Sequence, residues 1–383
     1  MRKTINIGDL GTIITGKTPP TTNKNYYGDY AVFIKPTDIS EQSKYTYETE
    51  EMYSRLAAEK YESSLIPKGA ICVPCIGTIG TKMTMAPYDC YTNQSINSIV
   101  CNDRYDNEYV YYLIKNFLPG LKSYNLGTAS GREYVSKSNF EKIELVAEQD
   151  KTIQKKIGEF LSRYDSLIEN YQKQIKLLEE AAQRLYKEWF IDLHFPEHEN
   201  TNIIDGVPEG WEKKKVGEVI AKVPRSKQIP TKDYQNEGAI PIIDQSRDYI
   251  AGYTDDIESR VESNEPYIVF GDHTRILKYV PFPFAKGADG TQLIMSNNLD
   301  LMPQCLLFTS LVSVDLSNYS YARHFKYLKE EEILVPTASI ANAFSKHVAK
   351  WYAKIQLNRE QLRLLSEACD RLLPKLMSGE IEI

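Results

Sequence analysis

The sequence predicts an α+β fold with two globular domains, each followed by a long helix. Two observations support this prediction. The phrase Leu177–Leu185 returns 187 residues later as Leu364–Leu372, and each copy ends a long segment with apolar residues at alternating steps of four and three. Short β-type runs broken by turns precede both segments, so each half of the chain contributes strands and then a helix.

The two repeated segments carry the a/d spacing of a coiled coil. Homodimerisation through these heptads is the alternative, but two closely matched seams within one chain favour pairing inside the molecule. The residues expected to pair the helices are Ile157, Leu161, Tyr164, Ile168, Ile175, Leu178, Leu185, Phe344, Val348, Trp351, Ile355, Leu362, Leu365 and Leu372.

In the first half, strand-like runs at Tyr30–Ile34, Ala70–Val73 and Ser95–Val100 surround one shorter helix, expected at about Asn107–Leu118 before Pro119. The long helix then opens at Gln149. The predicted limits are domain 1 at 1–148, its helix at 149–192, a linker at 193–209, domain 2 at 210–337 and the C-terminal helix at 338–383.

The second half repeats the order of sequence segments found in the first. Ile7–Leu10 is echoed by Val216–Val219, and Phe33–Asp38 faintly by Pro241–Asp244. Ile143–Val146 and Ile333–Pro336 are each the last strand-like run before a long helix. The helices repeat closely while the domains differ, as expected if the helices share one task and the domains perform two.

Composition restricts the function classes. At 383 residues and 42% hydrophobic content, the chain is long and apolar enough for two or three folded domains. No apolar run approaches a membrane span and no signal peptide is recognisable, so a cytoplasmic protein without a membrane partner is expected. The net charge of -6 argues against a protein that coats nucleic acid, and leaves room for a local basic surface.

Two motifs suggest ligands that we do not expect. Gly11–Thr18 fits the nucleotide-binding P-loop pattern, but Pro19 and Pro20 follow at once and prevent the helix that such a loop must open. Cys72 and Cys75 lie three apart in a predicted strand and would face opposite sides, which disfavours a zinc site and favours buried thiols. We therefore expect neither a cofactor nor a metal.

A third motif, Asp272-His273, invites an acid/base interpretation, with Asp244 and Asp289 nearby. No nucleophile accompanies it, and Arg275 is close in sequence. A cationic, hydrogen-bonding surface is therefore the better interpretation than a catalytic one.

The order of these segments resembles the specificity subunit of type I restriction-modification systems. The resemblance is carried by Ser64–Ile71 followed by Gly77–Gly80, by Thr92–Asn97, by Gly271–Arg275 and by the paired helices, and it covers essentially the whole chain. It implies two target-recognition domains held apart by helices packed as an antiparallel coiled coil with pseudo-two-fold symmetry. Each domain would read one half of a split sequence in double-stranded DNA.

The resemblance also implies partners and no catalysis by this chain. The helices would dock DNA adenine methyltransferase subunits, two being expected, and restriction or translocase subunits could join the complex. Helix length would set the gap between the half-sites. A coiled-coil scaffold or antirestriction relative without DNA specificity is the alternative of a different class.

Bases are read by bidentate side chains and phosphates are held by cations, so polar and basic residues in predicted loops or at strand ends are the candidate DNA contacts. In the first domain they are Lys35, Thr37, Thr78, Lys82, Asn93, Gln94, Asn97, Thr128 and Arg132. In the second they are Gln245, Ser246, Arg247, His273, Thr274, Arg275, Lys278, Arg323 and His324. Asn93 to Asn97 could instead build a turn of the scaffold.

Overall fold

The computed structural model describes residues 2–77, 79–127, 133–319 and 323–383 and divides into two compact units. The first unit comprises Met1–Tyr171 and Leu362–Ile383, and the second comprises Gln172–Gln361. Each unit therefore combines a globular domain with parts of both long helices. The domain limits drawn from the sequence remain predictions.

The first unit contains short strands, three short helices and the start of the first long helix. The strands are β1 (Arg2–Asn6), β2 (Gly11–Thr15), β3 (Tyr27–Ile34), β4 (Met52–Tyr53), β5 (Ile71–Pro74), β6 (Thr84–Met85), β7 (Tyr91–Thr92), β8 (Ile96–Cys101) and β9 (Glu144–Glu148). The helices are α1 (Arg55–Lys60), α2 (Asn107–Phe117), α3 (Lys137–Glu141) and α4 (Lys151–Tyr186), which continues as a π-helical turn at Lys187–Ile191.

The second unit repeats this plan. Its strands are β10 (Ile203–Ile204), β11 (Val207–Pro208), β12 (Glu212–Lys215), β13 (Ile240–Ile243), β14 (Gly252–Thr254), β15 (Arg260–Val261), β16 (Tyr267–Gly271), β17 (Leu277–Val280), β18 (Phe284–Lys286), β19 (Thr291–Ile294) and β20 (Glu332–Val335). Its helices are α5 (Val216–Val219), α6 (Gln304–Ser313), α7 (His324–Glu330) and α8 (Ala338–Ser378). The two long helices expected from the sequence are thus present.

Matching sheets form in the two units. The first has sheets of order β2-β8-β5-β6 and β4-β3-β7, and the second has β17-β16-β19 and β14-β13-β18-β15. The first and last strands of each domain pair antiparallel, β1 with β9 and β12 with β20. Among the described residues, one pair of strands is parallel in each unit, β3 with β7 and β13 with β18.

The echo of Ile7–Leu10 in Val216–Val219 holds in three dimensions. Both segments form a short helical turn, and in each the acid three residues into the turn accepts a hydrogen bond from the backbone amide just before it. Asp9 accepts from Asn6 at 2.8 Å, and Glu218 accepts from Lys215 at 2.9 Å. An asparagine then bonds the carbonyl of that acid in both units, Asn102 at 2.9 Å and Asn297 at 2.7 Å. These repeated contacts give the two domains one frame.

Helix α4 is seated on α2 in the first unit by polar contacts as well as apolar packing. The buried amide of Gln154 accepts from the Asp106 backbone amide at 2.9 Å and donates to the Glu148 carbonyl at 2.8 Å. Gly158 allows the close approach, since a Cβ there would lie 2.8 Å from the Glu108 Cβ. The start of α4 is therefore held firmly against the domain that precedes it.

In the second unit an aromatic cluster joins the end of α4 to the start of α8. The fully buried Phe344 ring lies edge-on to Phe190, with centroids 5.3 Å apart, and near Trp189 at 5.8 Å. Further along, Arg359 bonds Glu179 at 2.8 Å and Asn358 bonds Gln174 at 3.2 Å. Position numbers rise on one helix as they fall on the other, so the segments within this unit run antiparallel.

All fourteen residues expected to pair the helices are buried or half-buried. Leucines outside the seam, such as Leu177 and Leu357, are exposed. No helix in the described part of the chain is long and apolar enough to span a membrane.

Candidate nucleic-acid interface

Three loops converge at the end of the parallel strand pair in each unit. In the first unit, Asn93 N donates to the Ile34 carbonyl at 3.0 Å, and Cys75 N donates to the Ser95 carbonyl at 2.7 Å. In the second, Gly287 N makes the corresponding bond to the Ile243 carbonyl at 2.9 Å. The converging loops are 35–38, the described parts of 75–82 (75–77 and 79–82) and 93–95 in the first unit, and 244–248, 271–275 and 287–290 in the second.

The first loop of the first unit is shaped by charge. Asp38 accepts the Lys35 backbone amide at 2.8 Å, and the Lys35 ammonium lies 3.0 Å from Glu50 and 3.3 Å from Glu51. Burial opposes the charge of Lys35, but the two carboxylates outweigh it and raise the pKa of this ammonium. Lys35 therefore stays charged, is ion-paired with the two glutamates and shapes the loop. The neighbouring Thr37 is exposed.

Side-chain hydrogen bonds explain why the sequence of the turn after β7 is rich in asparagine. Asn93 Oδ1 accepts the Ser95 backbone amide at 3.1 Å, which is an Asx turn. Asn97 is buried and accepts from the Thr15 hydroxyl at 2.6 Å. The exposed member is Gln94, whose amide oxygen accepts from the Thr18 hydroxyl.

The hairpin between β16 and β17 forms the centre of the second loop cluster. The Gln245 amide braces it, donating to the Asp289 carbonyl at 2.8 Å and accepting the His273 backbone amide at 3.1 Å. Thr274 Oγ1 donates to the Gln245 carbonyl at 2.7 Å. Gly290 has φ +82° and a Cβ there would lie 2.8 Å from Gln245 Nε2, so the three loops interlock tightly.

Arg275 ends this hairpin with φ +63°, the left-handed conformation that non-glycine residues rarely adopt. Its guanidinium donates to the Leu316 carbonyl at 2.9 Å, and the residue remains exposed. The strained backbone and the side-chain bond together fix where this cation lies. The side chains of His273, in the same hairpin, and of Arg247, in the loop 244–248, are also exposed.

Comparisons with known proteins show what this chain is similar to. Residues 2–180 match the sequence model of the type I restriction modification DNA specificity domain. The type I restriction enzyme MjaIX specificity subunit of Methanocaldococcus jannaschii is 28% identical over 405 residues, covering 98% of this chain and 93% of that protein. The chain is therefore similar to type I restriction-modification specificity subunits, along nearly its whole length in the second comparison.

Two further comparisons concern a second relative and a solved structure. The type I restriction enzyme HindI specificity subunit of Haemophilus influenzae is 38% identical over 158 residues, covering 39% of this chain and 33% of that subunit. The crystal structure of a type I restriction-modification S subunit from M. genitalium matches with a TM-score of 0.63 at 16% identity, covering 98% of this chain and 96% of that one. At this identity the structural match supports the fold alone.

Three of the candidate DNA contacts do not lie where the sequence analysis expected them. The expectation that Asn97, Lys278 and His324 lie on an accessible surface is wrong, because all three are buried. Asn97 lies within strand β8, where Thr15 occupies its amide oxygen. Its role in this structure is to join two strands.

Lys278 faces into the second unit from strand β17. Its ammonium donates to the Asp248 carbonyl at 2.5 Å and lies 3.8 Å from an Asp244 oxygen. Burial lowers the pKa of this lysine to about 8 despite the two aspartates. Lys278 therefore supports the loop at 244–248 from beneath.

His324 connects the hairpin to α7. Its Nδ1 lies 2.9 Å from the Asp272 carbonyl oxygen and its Nε2 lies 3.1 Å from the Tyr319 carbonyl oxygen. The Asp272 carboxylate in turn accepts the Phe325 backbone amide at 2.8 Å. Asp272 is thus part of the scaffold, whereas the side chain of His273 is exposed.

The remaining candidates differ in how far their side chains are engaged within the protein. Ser246 is engaged with Asp244, to which its amide and hydroxyl donate at 2.8 and 2.6 Å. Lys82 is half-buried and reaches the Ile39 carbonyl at 3.4 Å, whereas Arg323 is exposed at the start of α7. The expected contacts Thr78, Thr128 and Arg132 lie outside the described residues.

The first five residues of the P-loop pattern at Gly11–Thr18 form a strand in this structure. Gly11–Thr15 forms β2 and pairs along its length with β8, so no helix follows the pattern and its backbone is engaged in the sheet. Gly16 lies tight against the Thr92 carbonyl, where a Cβ would approach to 2.1 Å. The glycines serve strand packing here.

Four of the six cysteines, Cys72, Cys75, Cys90 and Cys305, are buried in the protein interior. Cys72 and Cys75 belong to different hydrophobic clusters, consistent with opposite faces of β5, and burial raises the pKa of each thiol to about 12. Across the described residues, no three His, Cys, Asp or Glu side chains come close enough together to hold a metal ion.

Our sequence analysis overlooked one segment of potential function. Residues 223–228 border a polar pocket with Arg225, Ser226 and Lys286 among its lining residues. The signal was available, since Lys222, Arg225 and Lys227 form a basic run around Pro224.

Proposed function

We propose that this chain reads a bipartite DNA sequence, one half with each unit, for a type I restriction-modification complex. The observation that carries the proposal is the repeated frame. The same three loops meet at the same end of a parallel strand pair in both units, and the side chains that they present differ. Two readers of one design with different surfaces suit a target made of two different half-sequences.

The proposed contacts are the exposed polar residues of the converging loops and of neighbouring segments, together with the half-buried Lys82. In the first unit these are Thr37, Lys82 and Gln94, with Thr78, Thr128 and Arg132 retained from the sequence. In the second they are Arg247, His273, Thr274, Arg275 and Arg323. Lys35, Asn93, Gln245 and Ser246 are proposed to shape the loops, because their side chains are half-buried as well as bonded within the protein.

We propose that α4 and α8 pair along their lengths as an antiparallel coiled coil with pseudo-two-fold symmetry and set the spacing of the half-sites. At 1.5 Å per residue, the 36 residues of α4 span about 54 Å, more than the ~34 Å of one DNA turn. The heptad seams and the antiparallel contacts inside the second unit support this pairing. Two methyltransferase subunits would dock on the helices, with restriction subunits joining them.

The chain itself would perform no chemistry in this complex. Its relatives are named specificity subunits, and adenine methylation would be carried out by the methyltransferase partners. The acidic net charge of -6 fits a reader whose partners supply part of the cationic surface around DNA.

Modified-base sequencing tests the proposal. Host DNA is sequenced after expression of the methyltransferase subunits alone and together with this chain. We expect methylated adenines to require this chain and to fall in a motif of two short half-sequences with a constant unread gap. A stable complex of active methyltransferase with no new methylation would instead support the scaffold alternative.

Single substitutions then test whether the target is read in two halves. Gln94→Ala should relax one half-sequence and Arg247→Ala the other, since these exposed side chains belong to different units. Lys213→Ala, which removes a surface cation paired with Glu332, is the matched control and should leave the motif unchanged. Relaxation of both halves by one substitution would contradict the assignment of one reader to each half.

A further inference from the structure

The second unit contains an open, polar pocket beside the segment that corresponds to β2 of the first unit. It has a volume of about 370 Å³ and lies between residues 223–228 and the strands β18 and β19. Its polar lining residues are Arg225, Ser226, Gln228, Lys286 and Gln292. No acidic side chain is among the lining residues.

A difference between the two repeats creates the pocket. In the first unit β2 stays paired with β8 from Gly11 to Thr15, and Thr15 bonds Asn97. In the second unit the chain makes one bridge at Ile220 to Ser296 and then leaves the sheet.

The chain rejoins the frame through the bond from Ile229 N to the Lys286 carbonyl, which matches the bond from Lys17 N to the Thr92 carbonyl in the first unit. The connecting segment is three residues longer than in the first unit, nine positions from Ile220 to Ile229 against six from Gly11 to Lys17. The extra length lifts the chain off β19 and uncovers Gln292.

Two donors at this pocket, on Lys286 and Ser226, have no acceptor among the described residues. Lys286 is half-buried, burial lowers its pKa, and within the described residues no carboxylate lies at ion-pair distance from it. The Ser226 hydroxyl oxygen is enclosed and has no hydrogen-bond partner among the described residues. The neighbouring Lys227 is different, since Asp256 at 2.7 Å and Glu258 at 3.3 Å neutralise it.

We propose that this pocket binds one phosphate group of the DNA backbone beside the half-site read by the second unit. The inference rests on the proposed function and adds an anchoring site to it. A guanidinium, an ammonium, a hydroxyl and two amides around one cavity offer many donors to an anion, and phosphate oxygens are strong acceptors.

The position of the pocket fits this role. Lys286 directly precedes Gly287, whose amide bonds the Ile243 carbonyl where the recognition loops 244–248 and 287–290 begin. A phosphate held here would set the register of the duplex against those loops without reading a base. The first unit, where β2 closes the corresponding space, would have to anchor its half-site elsewhere.

Equilibrium binding by the complex of this chain with its methyltransferase subunits tests the inference. Lys286→Gln and Arg225→Gln should each weaken binding to matched and mismatched duplexes by the same factor, and should reduce the slope of log K against log salt by about 0.9. Arg225 is exposed, so its substitution keeps the test valid if Lys286→Gln destabilises the fold. Lys213→Gln removes an equal charge on strand β12 and should leave the slope unchanged.

Duplexes with one neutral methylphosphonate locate the contact. The wild-type complex should lose affinity at one backbone position near the second half-site, and the Lys286→Gln complex should be insensitive at that position. Titration of inorganic phosphate and of ATP into the complex forms a separate arm. Binding of either that Lys286→Gln abolishes, with unchanged DNA affinity, would assign the pocket to a free phosphate compound and overturn the inference.

The two proposals fail in different ways. If the wild-type complex shows no sequence-specific binding or methylation, the proposed function fails. If it reads its target normally while both pocket variants behave like Lys213→Gln, the reading function stands and the phosphate pocket is wrong.

Discussion

Replacing Phe344 with alanine should unfold the second unit more readily while leaving the first unit unchanged. Phe344 is fully buried at the start of α8, where its ring meets Phe190, Trp189 and Tyr186 with centroid distances of 5.3, 5.8 and 6.4 Å. It occupies a seam position, and the corresponding position of the first helix is Ile157. The substitution therefore tests how the helices are held to the domains.

The expected cost follows from this packing. Truncation of a buried phenylalanine to alanine costs about 3–5 kcal/mol, and edge-to-face ring pairs each contribute roughly 0.5–1.5 kcal/mol beyond burial. Because Phe344 makes three such ring contacts, we expect a loss near the top of that range, about 4–5 kcal/mol in the free energy of unfolding. The exposed Leu357 on the same helix is the control, with an expected change within about 0.5 kcal/mol on truncation.

The tryptophans allow the two units to be measured separately. Trp189, Trp211 and Trp351, the three in the chain, all belong to the second unit. Urea unfolding followed by tryptophan fluorescence therefore reports on that unit, whereas far-ultraviolet circular dichroism reports on both. Phe344→Ala should shift the fluorescence transition strongly and should split the dichroism transition into two.

The reciprocal variant completes the experiment. Ile157→Ala, in the buried core of the first unit, should cost about 2–5 kcal/mol and move the dichroism transition with little change in fluorescence. Equal shifts of both signals by either variant would show that the two units unfold as one. A fluorescence shift below about 1 kcal/mol for Phe344→Ala would refute the packing argument itself.

Three further predictions concern charge, recognition and spacing. Lys278→Met should stabilise the protein near neutral pH. The lysine pKa falls from 10.5 unfolded to about 8 folded, so the unfolded state binds more protons between these values and wild-type stability rises across this window. The advantage of the variant over wild type should shrink by about 3 kcal/mol between pH 7 and 10.5 in denaturant titrations, and a constant difference would contradict the burial of a charge. Arg275→Ala should lose discrimination in one half-sequence of the methylated motif, and equal weakening of both halves would reassign Arg275 to folding or phosphate contact. Insertion of one heptad in α4 after Tyr171 and of one in α8 after Gln361 should widen the unread gap by about three base pairs. Each heptad adds ~10.5 Å of helix, and one base pair spans ~3.4 Å of duplex. An unchanged gap would refute the spacer role.

Regular elements were the part of the fold that the sequence predicted well. The helix expected at Asn107–Leu118 forms at Asn107–Phe117, with Asp106 capping the Tyr109 amide at 3.1 Å. The run Ser95–Val100 forms the strand Ile96–Cys101. Caps, periodicity and proline act over a few residues, so a single sequence exposes them.

The site was predicted less well, because residue type does not reveal burial. Asn97, Lys278 and His324 are polar residues in short β-type or loop-like sequence, and each is covered by a segment distant in the chain. Thr15 covers Asn97, and Asp272 and Tyr319 enclose His324. These partners meet only in the folded chain, where the three residues bond within the protein and have structural roles.

The two units show how one frame can support different surfaces. Hydrogen bonds from Asn102 and Asn297 to the helical turn are nearly the same, so the frame tolerates little change. The segment after that turn is free to vary, since in the first unit it continues as β2 and in the second it leaves the sheet at Ile220. A three-residue difference there closes one unit with a strand and opens the other as a cationic pocket. Variation in the connections rather than in the core is therefore sufficient to give the two halves of this chain different ligand surfaces.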